Sequence, residues 1–202
     1  MGSTEFRGNL DPYIDPSTGI LKNLVGADKQ AELDKAEADL VFARALQLSD
    51  KDIPESRDLR EVQLIHQHLF RDVYEWAGKL RTVDLRRPTG MALPFAPHRM
   101  LPIVAQNCFE ALQDDSCLYG MSRTQFVHRL AYHYDALNYL HPFREGNGRT
   151  QRVFWGRIAR AAGREIEWFR ISKAENDDAC RIANEQQDLE PLIALFDRAV
   201  PM

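Results

Sequence analysis

No run of apolar residues in this sequence approaches the roughly 20 needed to cross a bilayer, and Met1–Asn9 is too polar to serve as a secretory leader. That excludes a membrane-spanning chain and leaves a cytoplasmic protein as the expectation, or one delivered to a host cytosol. Cysteine is scarce. Cys108, Cys117 and Cys180 are an odd number without paired spacing, which excludes a disulfide framework and fits a reducing compartment. Nor do they resemble the ligand spacing of a zinc site. Excess positive charge is also lacking, since the formal net charge is -4; no global basic field draws the chain to nucleic acid or to acidic membranes. Internal repeats and low-complexity tracts are absent. What remains is an ordinary globular balance over 202 residues, 44% apolar and 28% charged, enough for one well-cored domain.

The first stretch, residues 1–26, is rich in turn chemistry: Asp11-Pro12, Asp15-Pro16, Ser17 and Gly19 predict an extended arm lying on something else. Met1–Arg7 has the composition of a cloning remnant. From residue 27 to 202 the signal is helical nearly throughout. Leu33, Ala36, Leu40 and Ala43 recur at the spacing of one helix face. Leu59, Val62, Ile65, Leu69, Val73 and Trp76 do the same, with Gly78 as a stop. A third helix is marked by Val104, Cys108, Ala111 and Leu112, and a fourth by Phe126, Leu130, Leu137 and Leu140, running into His141. The fifth begins near Gly148 and stops before Gly163; two shorter ones follow Ser172 and Glu190. One segment departs from this pattern. From Thr82 to Pro97 short alternating apolar residues surround Pro88-Thr89-Gly90, predicting a small β-hairpin. The fold class is therefore all-α, a helical bundle with one hairpin.

The chemistry concentrates in HPFREGNGRTQR, residues 141–152. Gly146 and Gly148 flank Asn147 just before a helix starts. Glycines let backbone N–H groups approach a ligand closely, and a helix N-terminus favours negative charge. Arg149 and Arg152 share a face near that helix start, and guanidinium forks suit phosphate oxygens. Glu145 is an acid amid these groups; a divalent cation between carboxylate and phosphates relieves the repulsion, and magnesium is the usual choice. His141 at the loop's mouth can take a proton near neutral pH. A base, a metal, an anion hole and two arginines together point to phosphoryl or nucleotidyl transfer. Singly, each has a plainer structural reading as cap, turn or salt bridge, and Phe143 is expected to anchor the loop in the core.

This string resembles the signature of the Fic family, HxFx(D/E)GNGRxxR, and fills each specified position. DPYIDPSTGILKN, AELDKAEADL, IHQHLFRDVYEWAGKLRTVDL and PFAP resemble Fic segments in the same order, over roughly residues 10 to 197. The resemblance implies a protein adenylyltransferase, which moves AMP from ATP to a Ser, Thr or Tyr hydroxyl of a target protein and releases pyrophosphate. His141 would be the catalytic base and Glu145 the Mg²⁺ ligand. Gly146, Asn147 and Gly148 would form the anion hole, and Arg149 and Arg152 would contact the β- and γ-phosphates. The hairpin would be a flap over the active site, registering the target's backbone as an added strand. Its residues would be Thr82, Val83, Asp84, Leu85, Arg86, Arg87 and Phe95, with Phe95 clamping the target segment.

Two details narrow the subtype. Doc-type relatives, which phosphorylate, carry Lys where this chain has Gly148. The inhibitory pattern (S/T)xxxE(G/N) is approached only by Ser172-Lys-Ala-Glu175-Asn176, one residue short, which turns the acid by about 100° on a helix. The resemblance then implies control by a separate small antitoxin whose glutamate contacts Arg152, or an effector domain without restraint. Rival readings are a Fic protein that transfers UMP, GMP or phosphocholine, and an inactive fold that only binds nucleotide or a partner.

Overall fold

Helix starts in this chain are set by side chains that satisfy the first, unpaired amides. Asp58 accepts from the N–H groups of Arg60 and Glu61 and opens α2 (Leu59–Phe70). Ser122 and Gln125 form a capping box ahead of α4 (Arg123–Leu140), and Ser172 and Glu175 another ahead of α6 (Lys173–Gln186). Proline stands in the first turn of α3 (Leu101–Asp114) and of α7 (Glu190–Ala199), where its missing N–H costs nothing. With α1 (Gln30–Leu48) and α5 (Asn147–Ala161) these make seven α-helices among the described residues. A computed structural model describes residues 11–48, 53–85 and 94–202.

The centre is α4, which touches α3, α5, α6 and α7. It buries Phe126, Val127, Leu130, Ala131, Tyr134, Leu137 and Leu140 on one broad face, wider than the stripe of a helix with a single neighbour. α5 adds Phe154, Trp155 and Ile158 to that core, and α2 packs between α1 and α5. Both helices that flank the loop at residues 141–146 are thus anchored in the core, which holds their facing ends in place.

The all-α class holds. Among the described residues the only β pairing is an antiparallel bridge between Ile14 and Leu21, in the arm. Two local expectations change. α1 buries Leu33, Glu37, Val41 and Leu48, so its core stripe is rotated from the expected one and Ala43 is exposed. α2 ends at Phe70 rather than near Trp76, because the carbonyl of Val73 accepts from Leu24 of the arm and the chain passes into turns. Val73, Tyr74 and Trp76 stay buried in those turns, which is why the apolar spacing continued. The hairpin between Thr82 and Pro97 falls largely outside the described residues; its roots, 82–85 and 94–97, are irregular.

Candidate active site

α4 ends where His141 turns into the left-handed region, φ 43° and ψ 62°. An unbranched residue tolerates this with some strain, and the turn carries the chain out of the helix. The imidazole Nδ1 lies 3.3 Å from the Asn138 carbonyl. Nδ1 must carry the proton there, so the lone pair sits on Nε2. Phe95, at the far root of the expected flap, stacks on the ring at 3.7 Å between centroids. One buried side chain ties these parts together. Arg81 donates from Nε to the His141 carbonyl at 2.7 Å, from Nη1 to Val83 at 2.7 Å, and from Nη2 to Ala96 and Leu140. Its guanidinium therefore joins both flap roots to the last turn of α4. Burial pulls its pKa down and the nearby Asp84 carboxylate, at 4.0 Å, opposes this, while the four carbonyls take its donors. Arg86 and Arg87, expected on the flap, lie outside the described residues.

The loop that follows is held from below. Gly146 has φ 80°, and a Cβ there would come within 2.3 Å of the Phe70 ring, so only glycine fits. Phe143 is buried as expected and stacks on His66 at 3.8 Å, and His66 stacks on Phe70 at 4.6 Å. The tautomer of His66 follows from its partners. The Gly78 N–H donates to Nδ1 at 2.8 Å, so Nε2 carries the hydrogen and donates to the Glu145 carbonyl at 3.0 Å. Burial lowers its pKa to about 3 and keeps it neutral. His66 thus fixes the peptide that leads into the α5 N-terminus.

The Asn147 side chain is committed to the loop itself: Oδ1 accepts from the Phe143 N–H at 2.9 Å, and Nδ2 donates to the Phe143 carbonyl at 2.8 Å. Its contribution to an anion hole is confined to its backbone N–H. No side chain caps α5, and first-turn amides have no intrahelical acceptor. A Cβ on Gly148 would meet nothing within 4 Å, so the protein leaves room there for another molecule. Glu145 is exposed, and its Oε1 accepts from the Gly146 N–H at 2.8 Å and lies 3.5 Å from Arg149 Nη2. Arg149 also donates to Glu37 of α1 at 2.5 Å. Arg152 leans on the Trp168 ring at 5.6 Å and lines a cleft of about 600 Å³ with Val153, Gly156 and Trp168.

At the flap roots, the Thr82 N–H donates to the Tyr13 hydroxyl at 3.1 Å, and Asp84 accepts from the His98 N–H at 2.7 Å. Val83 and Leu85 are half-buried. Glu175, the acid of the incomplete inhibitory string, is engaged elsewhere. It accepts from both Ser172 groups and from Arg198 at 2.7 Å, and its contact with Ser172 leads the pull of its pKa to about 2. Reading the sequence missed His66, Arg81, Glu37 and Tyr74. For Glu37 a signal existed: Leu33, Glu37 and Val41 are four apart, on one stripe.

The profile of the Fic/DOC family matches residues 56–159. The chain is 39% identical over 171 residues to the protein adenylyltransferase VbhT of Bartonella schoenbuchensis, covering 85% of this chain and 35% of that protein, about a third of its length. It is 31% identical to the "Probable protein adenylyltransferase Fic" of Escherichia coli, over 98% of this chain and 96% of that one. In structure it is similar to the VirB-translocated effector BepC of Bartonella tribocorum, solved with AMPPNP, at a TM-score of 0.87 and 28% identity, over 94% of this chain and 96% of that one.

Proposed function

The chain belongs to the Fic/DOC family, and from that premise we propose that it is a protein adenylyltransferase, moving AMP from ATP to a side-chain hydroxyl of a target protein. His141 accepts the hydroxyl proton at Nε2 as the oxygen attacks the α-phosphorus. The bond to the bridging oxygen of the β-phosphate breaks, and pyrophosphate leaves. The amides of Asn147 and Gly148, and that of Gly146 once the Glu145 carboxylate turns from it to a cation, stabilise the charge gathering on the α-phosphate oxygens. Arg149 and Arg152 hold the β/γ end, which keeps the reacting atoms in line.

Glu145 would hold Mg²⁺, which supplies positive charge against the phosphates when bound. The donor set fits. Among the described residues no cluster of three or more His, Cys, Asp or Glu could cage a metal, and a magnesium ion bound mainly by substrate and water asks for only one or two carboxylates. One exposed carboxylate beside an anion site meets that need. The target's backbone lies along the flap, whose far root brings Phe95 against His141. Glu175 is held by its own cap and by Arg198 and so does not restrain Arg152; that role belongs to a separate small antitoxin, or the domain works without restraint. No helix of the described residues is long and apolar enough to cross a membrane. The similarity to a VirB-translocated effector supports work in a cytosol, its own cell's or a host's.

The observation that carries the reading is the contact of His141 Nδ1 with the Asn138 carbonyl at 3.3 Å, which assigns the proton to Nδ1 and the lone pair to Nε2, beside the N-terminus of α5. ATP labelled at the α-phosphate, with Mg²⁺ and a lysate, tests it beside His141→Ala. Label on a protein band should fall about a hundredfold or more in the variant, the range for a lost general base, while nucleotide binding stays. Equal labelling by both proteins would refute the base. Label transferred only from another nucleotide would refute ATP as the donor.

A further inference from the structure

An acid on the buried stripe of a helix needs partners, because an uncompensated buried charge is strongly destabilising. Glu37 of α1 sits on that stripe between Leu33 and Val41 and is 9% exposed. Both of its oxygens are occupied. Oε1 accepts from Arg149 Nη2 at 2.5 Å, and Oε2 accepts a short hydrogen bond from the Tyr74 hydroxyl. Burial, together with that hydrogen bond, drives the Tyr74 pKa far up, so the hydroxyl remains a donor. The arginine is fixed on a third side as well, its guanidinium 4.8 Å above the Phe70 ring. That is the ring against which Gly146 packs. Glu37, Tyr74 and Phe70 belong to α1, to the turn after α2 and to α2, all outside the 141–152 loop.

A guanidinium carries five N–H donors in a rigid fork. Both acidic contacts of Arg149, to Glu37 and to Glu145, run through Nη2, which leaves other donors of the fork for a phosphate. A carboxylate placed so does not compete for the whole fork; it aims it. Glu145 is exposed and can turn toward a cation, whereas Glu37 is buried and bonded at both oxygens. We propose that Glu37 is a positioning residue for the polyphosphate. It holds Arg149 in one orientation so that the β-phosphate meets an ordered donor pair. This rests on the assignment of Arg149 to the phosphates made above.

The test compares two nucleotides that differ in what Arg149 can touch. Calorimetric titrations of the whole chain with Mg²⁺-AMPPNP and with AMP would be run on Glu37→Ala, Glu37→Gln, Arg149→Ala and the Glu37→Ala/Arg149→Ala pair. Glu37→Ala should weaken AMPPNP about tenfold, the scale of one charge-assisted hydrogen bond, and leave AMP within about twofold. Glu37→Gln keeps an acceptor for Arg149 in a side chain of the same shape and should recover part of the loss. In the Arg149→Ala background, Glu37→Ala should add nothing, as a double-mutant cycle on a shared interaction requires. Equal weakening of both nucleotides would overturn the proposal in favour of a purely structural role. Tighter AMPPNP binding would overturn it in the other direction, making Glu37 a competitor of the phosphate. If the unmodified chain binds neither nucleotide, the adenylyltransferase reading itself falls, a result distinct from a failure of Glu37 alone.

Discussion

His66 shows how one proton position can hold the loop at residues 141–146. Enclosed by Phe70, Phe143 and Trp76, it must remain neutral to accept from Gly78 and donate to the Glu145 carbonyl. Burial lowers its folded pKa to about 3 against an ordinary 6.5. The unfolded chain therefore takes up the proton first as pH falls. The stability this histidine contributes is complete above pH 6.5 and is lost progressively on going down toward pH 3. By pH 4.5 the loss is about 2–3 kcal/mol, taking 1.36 kcal/mol per pH unit. Denaturant unfolding of His66→Gln beside the unmodified chain, at several pH values, checks this. The glutamine keeps one donor and one acceptor without titrating, so the gap between the two proteins should narrow as pH falls from 6.5 to 4.5. A gap independent of pH would mean that His66 is protonated inside the fold.

At the scale of elements, the last turn of α4 and the two flap roots are coupled through the single guanidinium of Arg81. Arg81→Ala would leave the carbonyls of Leu140, His141, Val83 and Ala96 without that donor. Each buried acceptor left unsatisfied costs about 1–3 kcal/mol, with relief wherever water enters. A net loss of about 3 kcal/mol is expected in chemical denaturation. AMP transfer should fall more than nucleotide binding does, because the α5 N-terminus does not touch Arg81 while the His141 turn does. Little of this coupling was legible beforehand. Helix caps and apolar periods are local, and Asp58, Ser122 and Ser172 marked their helices well. The loop from His141 to Arg152 was likewise readable, since its donors are consecutive in sequence. Arg81 and His66 act across long separations, on backbone carbonyls that carry no side-chain signature. The period that misplaced the end of α2 persisted because turns can bury Val73 and Trp76 as well as a helix can. The α1 stripe was misjudged because Glu37 is polar, and its burial depends on an arginine 112 residues away.

For the whole molecule the arm at residues 11–26 links regions that the sequence separates widely. Tyr13 packs edge-on against Trp76 at 5.4 Å, and its hydroxyl receives the Thr82 N–H at the near flap root. Asp11 pairs with Arg144 of the 141–146 loop at 2.8 Å, and Leu24 bonds to Val73 beyond α2. The arm therefore braces the root at Thr82 and the 141–146 loop from one side, while α4 and Arg81 brace them from the other. A chain starting at residue 27 should lose the burial of Tyr13 and Ile20, at about 2 kcal/mol each. For a chain of this size that corresponds to a fall in Tm of about 10 °C, readable by calorimetry. The functional consequence separates two roles. If the arm only adds core, transfer measured well below the new Tm should match that of the full chain. If it braces the flap root, transfer should drop several-fold at the same temperature with AMPPNP affinity little changed. The second outcome is expected, because the Tyr13 hydroxyl meets the flap at the backbone of Thr82, close to the Arg81 guanidinium that carries His141.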